Sequence, residues 1–219
     1  MRSLLIVLSF LIVALTQDAL ADESSARPQG RPASPPPAQW QEVPDARLWS
    51  RAADAALRGH GASLINMVPG DVTGWCPHYA DAPPAARRAF WIGFLSTLSH
   101  YESTWRPDAV GGGGRWFGLL QIAPATARGY GCAARSGTAL KDGPANLSCA
   151  IRIMARTVAR DGVIHGRDSK WRGVSADWGP MRSARKRAAM AEWLRGQPYC
   201  QMPQSLRPVR RRRSEPEGG

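Results

Sequence analysis

PAARRAFWIGFLSTLSHYES, residues 84–103, runs directly into TWRPDAVGGGGRWFGLLQI, residues 104–122. The first stretch opens on proline, which suits the first turn of a helix, and its apolar residues recur at helical spacing. At about 100° per residue, Trp91, Leu95, Leu98 and Glu102 fall within roughly 60° of one another. Glu102 therefore continues the core-facing stripe and lies away from Arg87 and Arg88. A carboxyl group in apolar surroundings has its charged form disfavoured, so its pKa rises and it holds a proton near neutrality, as a general acid must. Periodicity alone gives equal weight to a carboxylate that merely ends the helix in solvent.

Outward from this helix the pattern stays helical, and no alternating strand pattern is visible. Residues 45–60 predict a helix with Asp45 as N-cap and Gly59 or Gly61 as its stop. Residues 124–128 predict a short helix opened by Pro124, and residues 146–160 a longer one ending near Gly162. Residues 183–195 predict a last helix, capped by Ser183 and stopped by Gly196. The expected class is all-α, a single disulfide-braced domain over residues 43–203.

The flanks differ in composition. Arg2, an uncharged run from Ser3 to Thr16 and Ala19-Leu20-Ala21 read as a cleavable signal peptide over residues 1–21, too short to span a bilayer, which takes roughly 17–25 apolar residues. Residues 22–42, with Pro28, Pro32 and Pro35-Pro36-Pro37, read as a proline-rich leader, and residues 204–219, with Arg210 to Arg213, as a basic solvated tail. The expected mature chain is periplasmic or secreted. The net charge of +12 and pI near 10.7 point to an anionic envelope surface as a partner of the tail; nucleic acid is not expected in that compartment.

Export turns Cys76, Cys132, Cys149 and Cys200 into two candidate disulfides with three connectivities. The preferred pairing joins Cys76 to Cys200 across the domain and Cys132 to Cys149 around a local loop; sequence leaves the three open. There is no C-x-x-C pair and no histidine pair at ligand spacing, so no metal site is expected. No cofactor is expected either.

The four glycines Gly111 to Gly114 lack the lysine and the preceding strand of a phosphate loop. Glu102-Ser103 with Pro107 and Ala109, followed by Gly118-Leu119-x-Gln121-Ile122, Pro124 and Thr126-Ala127, resembles instead the E-S…G-L-M-Q-I signature of the soluble lytic transglycosylase domain, which has a lysozyme-like fold. The resemblance spans residues 90–180. It implies that Glu102 is catalytic, first acid and then base. It further implies that Ser103 and Gln121 help to set the acid and the sugar, that Gly118 lies with its backbone against the glycan, and that Leu119, Asp177 and Trp178 belong to the substrate-binding set. The implied reaction cleaves the bond between N-acetylmuramic acid and N-acetylglucosamine in peptidoglycan and leaves a 1,6-anhydro sugar. The chain is expected to be a monomer.

Later motifs match less closely. Asn146-Leu147-x-x-Ala150-x-x-Ile153-Met154 resembles the family's N-I-x-x-G-x-x-Y-L helix. Ala176-Asp177-Trp178-Gly179-Pro180 stands where the family has A-Y-N-A-G-P, so its tyrosine is Ala176 and its asparagine Asp177. These changes bear on substrate preference and rate rather than on fold. Trp105, Trp116 and Trp178 are candidate platforms for sugar rings, with Trp116 favoured for its place beside the glycines. Trp49, Trp91 and Trp193 read as core, and His100 as surface. Hydrolysis with inversion or retention takes a second carboxylate. Asp108, Asp142, Asp161 and Asp177 are the nearest, and none is fixed by spacing. A lysozyme-type hydrolase and a non-catalytic wall-binding module are the alternative readings.

Overall fold

A computed structural model describes residues 35–201. The expected signal peptide, most of the leader and the basic tail lie outside the described residues. The chain is mainly helical, with α1 (Ala46–Arg58), α2 (Ala62–Asn66), α3 (Pro84–Ser103), α4 (Pro124–Gly129), α5 (Gly137–Leu140), α6 (Gly143–Asp161) and α7 (Ala184–Arg195). Two small antiparallel hairpins qualify the all-α expectation: β1 (Val110–Gly111) with β2 (Trp116–Phe117), and β3 (His165–Arg167) with β4 (Trp171–Gly173). Val110 pairs with Phe117 in the first, and Gly166 with Arg172 in the second. Strands this short leave no readable alternation. No helix among the described residues is long and apolar enough to cross a membrane.

The core forms around α3. Every residue from Ala89 to Ser99 is buried, so its middle is enclosed on all sides by α1, α2 and α7. A helix apolar all round belongs in an interior. The buried hydroxyls satisfy themselves locally: Ser96 Oγ donates to Gly93 O (2.6 Å), Thr97 Oγ1 to Phe94 O (2.8 Å) and Ser99 Oγ to Ser96 O (3.1 Å). Such back-bonding lets small polar residues sit inside a core without orphaned donors. Aromatic rings fill the N-terminal half, with Phe90 edge-on to Tyr79 and Trp91 edge-on to Phe94. Trp91 Nε1 donates to Tyr79 Oη (3.0 Å), which donates to Leu64 O (2.8 Å).

The expected helix over 146–160 begins three residues earlier, at Gly143. Asp142 Oδ1 accepts from Ala145 N (2.8 Å), so the cap precedes Pro144 rather than Asn146. Ser183 caps α7 as its sequence suggests, whereas Asp45 makes no side-chain cap on α1. The packed domain also starts earlier than Val43. Ala38 and Trp40 are buried, and Trp40 lies edge-on to Trp49 while its Nε1 donates to Ser50 Oγ (3.0 Å). The last residues of the expected leader thus belong to the core, because a tryptophan there outweighs the composition around it. Trp49 and Trp91 are core, as read, and Trp193 packs at its margin. Both preferred disulfides are present, Cys76–Cys200 and Cys132–Cys149.

Candidate functional site

The buried length of α3 places its last turn, Tyr101-Glu102-Ser103, at the edge of the core. The chain leaves through two consecutive left-handed residues, Thr104 (φ 52°) and Trp105 (φ 56°). This conformation is uncommon outside glycine and strained for a β-branched side chain, at a cost of order 1–3 kcal/mol per residue. It is held by Thr104 N donating to His100 O (3.1 Å) and by Trp105 Nε1 donating to Ser96 O (2.9 Å). Trp105 therefore folds back to brace the helix end; it does not line the cleft as a sugar platform. Its ring lies 4.8 Å from that of His100, which is half-buried rather than on the surface. His100 Nδ1 is enclosed without a hydrogen-bond partner.

The glycine run does a second local job. The Trp116 indole lies against Gly112 so closely that a Cβ there would run into the ring. Arg115 stands over the same indole, 5.1 Å from its centroid, and the ring remains 43% exposed. Beyond β2 the chain turns tightly: Phe117 and Ile122 exchange both backbone hydrogen bonds (3.1 and 3.0 Å). The turn needs positive φ at Gly118 (78°) and at Gln121 (46°).

One side chain secures this turn from below, and sequence reasoning passed it over as a site residue. Asn146, fully buried on α6, donates from Nδ2 to Phe117 O (2.9 Å) and Leu140 O (2.8 Å), and accepts at Oδ1 from Leu120 N (2.9 Å). The asparagine matched within the α6 motif was the signal. Its presence also gives Gly118 a packing reason: a side chain there would collide with the Leu140 carbonyl and the Asn146 amide, so α6 by itself requires a glycine at this position. Leu119 is fully buried in the core. Ser103 is buried too, with its hydroxyl donating back to Ser99 O (3.3 Å). Neither lines the cleft.

Glu102, Trp116, Gln121, Asp177 and Trp178 do come together, lining one cleft of about 540 Å³. Glu102 is partly buried, and desolvation pushes its carboxyl up to about 7, the nearby Lys186 ammonium opposing the shift. No described residue donates a hydrogen bond to it, so the burial goes uncompensated. Gln121 spends its Nε2 on Gly118 O (2.9 Å) and Ala109 O (3.3 Å), leaving Oε1 as an acceptor. Burial also raises the Asp177 carboxyl, and Tyr130 Oη donates to it at 3.4 Å. Trp178 is nearly enclosed and donates from Nε1 to Leu120 O (2.9 Å), which makes it an anchor for the turn with one edge in the cleft.

Gly179 and Pro180 of the Trp178 motif also line the cleft, as do Tyr101, Arg182 and Lys186, which the sequence motifs do not point to. Tyr101 adjoins Glu102 in the last turn of α3 and lines the same cleft. The arrangement is that of a protonatable acid beside an exposed indole, an amide acceptor and two cations. Such a set can protonate a bound oxygen while an apolar ring supports the group that carries it.

A scan against protein-family models finds no match, and a search of curated proteins finds no relative. Solved structures do match. The wild type of Bd0314 DslA from Bdellovibrio is 30% identical, with 77% of this chain and 100% of that chain covered and a TM-score of 0.69. Two glutamate-to-glutamine mutants of the same protein match with TM-scores of 0.70 and 0.69 at 30% and 28% identity, over the same coverage. At this identity over the whole of the matched chain, the protein belongs to the family of Bd0314 DslA.

Proposed function

We propose that this protein is a peptidoglycan lytic transglycosylase with a lysozyme-like fold, in which Glu102 serves as acid and then base. The observation that carries the reading is the Glu102 carboxyl itself. It lies in a cleft, accepts no hydrogen bond from the described residues, and is held protonated up to about pH 7. In the first step its proton passes to the glycosidic oxygen between N-acetylmuramic acid and N-acetylglucosamine, and the C1–O bond breaks. In the second, the resulting carboxylate takes the proton of the muramoyl C6 hydroxyl as that oxygen bonds to C1. The products are a 1,6-anhydromuramoyl end and a free N-acetylglucosamine 4-hydroxyl; no water is consumed.

The family relationship supports a glutamate-centred reaction, since glutamates were the residues replaced in the two DslA mutants. Those two glutamates lie eleven positions apart. Among the described residues that line this cleft Glu102 is the single glutamate, which favours chemistry with one glutamate. The two disulfides accord with an exported enzyme.

A second reading, hydrolysis of the same bond, is favoured by Asp177, a further carboxylate in the Glu102 cleft. The two separate in one experiment, in which wild type and Glu102→Gln are incubated with purified peptidoglycan and the released muropeptides are read by mass spectrometry. Anhydromuramoyl ends from wild type alone are expected. Reducing ends would assign hydrolysis, and binding without release from wild type would leave only a wall-binding module.

A further inference from the structure

Residues 182–187, RSARKR, hold four cations and no acid. Three of them, Arg185, Lys186 and Arg187, occupy the first turn of α7, which contains no acidic residue. Free N–H groups already make that end of a helix electropositive, so cations are disfavoured there and acids preferred. The sequence therefore works against its own helix at this point, a pattern that marks functional surfaces more often than structural ones.

None of these charges is closed into an ion pair, although Arg182 acts on Asp177 and Lys186 on Glu102 from a greater distance. Among the described residues, no carboxylate lies within ion-pair distance of Arg182, Arg185, Lys186 or Arg187. Arg182 is instead fixed by donating to Ser175 O (3.0 Å) and Ala176 O (2.9 Å), and Arg187 by donating to Met181 O (2.8 Å). Carbonyls orient a guanidinium without cancelling its charge. Lys186 has the Tyr101 ring as its neighbour, 5.2 Å from Nζ, and is half-buried. Arg182 and Lys186 both face the cleft that contains Glu102 and Asp177. When Glu102 carries its proton, as the first chemical step demands, it offers Lys186 no countercharge.

We infer that Lys186, with Arg182 beside it, forms a subsite for a carboxylate on the glycan, so that the cleft selects acidic muramoyl strands over neutral polymers of N-acetylglucosamine. This inference rests on the proposal that the cleft binds a glycan strand. Two forms of peptidoglycan supply that chemistry: stem-bearing strands through the carboxylates of the peptide, since the lactyl carboxyl is then amide-bonded to the stem, and stem-free strands through the lactyl carboxylate that removal of the stem releases. Lys186 presents a compact charge that rotates to meet either, while Arg182 is held rigidly by its backbone contacts.

Binding tested in the full chain carrying Glu102→Gln, which removes turnover, decides the matter. Dissociation constants are measured by calorimetry for stem-bearing glycan fragments, for the same fragments stripped of stems by an amidase, and for uncharged chitin oligosaccharides of equal length. The expected result is tighter binding of the acidic ligands than of chitin, with Lys186→Met reducing that preference about tenfold, or 1.4 kcal/mol, and Lys186→Arg restoring it to within about twofold. Preference for both acidic ligands shows that the subsite takes a stem carboxylate or the lactyl carboxylate freed by the amidase, and preference lost with the stems assigns the peptide. Equal binding of chitin, or a preference unchanged by Lys186→Met, overturns the inference. A wild-type protein that releases no product while keeping a Lys186-dependent preference would defeat the cleavage reading alone.

Discussion

Asn146 Oδ1 accepts the backbone N–H of Leu120 at 2.9 Å, joining the fully buried face of α6 to the turn that presents Gln121. The same amide also holds the carbonyls of Phe117 and Leu140. Asn146→Ala leaves one donor and two acceptors without this partner, and unsatisfied buried groups cost about 1–3 kcal/mol each before relaxation. We expect the variant to lose about 3 kcal/mol in urea unfolding and to lose activity more than tenfold, because the turn that carries Gln121 loosens. Asn146→Asp retains the acceptor for Leu120 N but loses both donors, and should fall well short of rescue.

Glu102 carries a stability signature distinct from its chemistry. Its carboxyl is raised by burial from an ordinary value of 4.5 to about 7 in the fold. Between those values the unfolded chain ionises while the folded one stays protonated, so wild-type stability falls as pH rises through that window and levels off above it. Glu102→Gln removes this loss. Its melting temperature should match that of wild type near pH 4 and exceed it near pH 8. A variant less stable than wild type at pH 8 would mean that the ionised carboxylate is stabilised in the fold.

For the same reason cleavage should decline on the alkaline side. A general acid acts in its protonated form, so kcat/KM for peptidoglycan should fall about tenfold per pH unit above about 8. Initial rates measured across pH 5–9 check this.

The opposite shift occurs at Asp161, whose carboxylate is enclosed and engaged by Arg160, by the Gly173 N–H (2.7 Å) and by Arg172. Hydrogen bonding to Arg160 lowers its pKa from 3.8 to about 2. The stability it contributes is complete above about pH 4 and is lost as pH falls toward 2. Asp161→Asn should therefore be less stable than wild type at neutral pH, and the gap should narrow in acid denaturation between pH 4 and pH 2.

The disulfides differ in what they constrain. Cys76–Cys200 spans 124 residues and Cys132–Cys149 only 17. On loop-closure grounds the long one contributes about 5 kcal/mol and the short one about 3. Paired serine substitutions at Cys76 and Cys200 should lower the urea midpoint more than those at Cys132 and Cys149; the reverse order would show that strain or residual unfolded structure dominates.

Trp116 offers a test that separates binding from folding. Its indole is 43% exposed on the first hairpin and borders the cleft. Trp116→Ala should raise KM several-fold at temperatures where the variant is still folded, while the melting temperature falls by only several degrees, the share expected from the covered half of the ring. A collapse in stability would assign the ring to the hairpin instead of to the ligand.

Some of these relationships were legible before any coordinates. Unbroken helical spacing over residues 84–103 located α3 to its ends, because a long run of 3.6-residue periodicity bounded by proline and a Thr-Trp exit leaves little choice. The place of Glu102 on that stripe anticipated its burial. Trp40 lies within residues whose composition reads as a leader, but its burial depends on what more distant residues, here Trp49 and Ser50, provide. The hairpins were missed because two- and three-residue strands carry no period.

The sequence by itself thus determined the helical class, the central helix, the position of the acid along it and the local motif from Gly118 to Ile122, all of which arise from spacing within one segment. Tertiary structure alone decided which of those residues face the ligand. Gly118, Leu119 and Ser103 turn inward because Asn146, Leu140 and the end of α3 claim them, while Asp177, Arg182 and Lys186 reach Glu102 across more than seventy positions of chain. Side-chain direction at a turn is set by contacts between segments, and no periodicity within a segment encodes it.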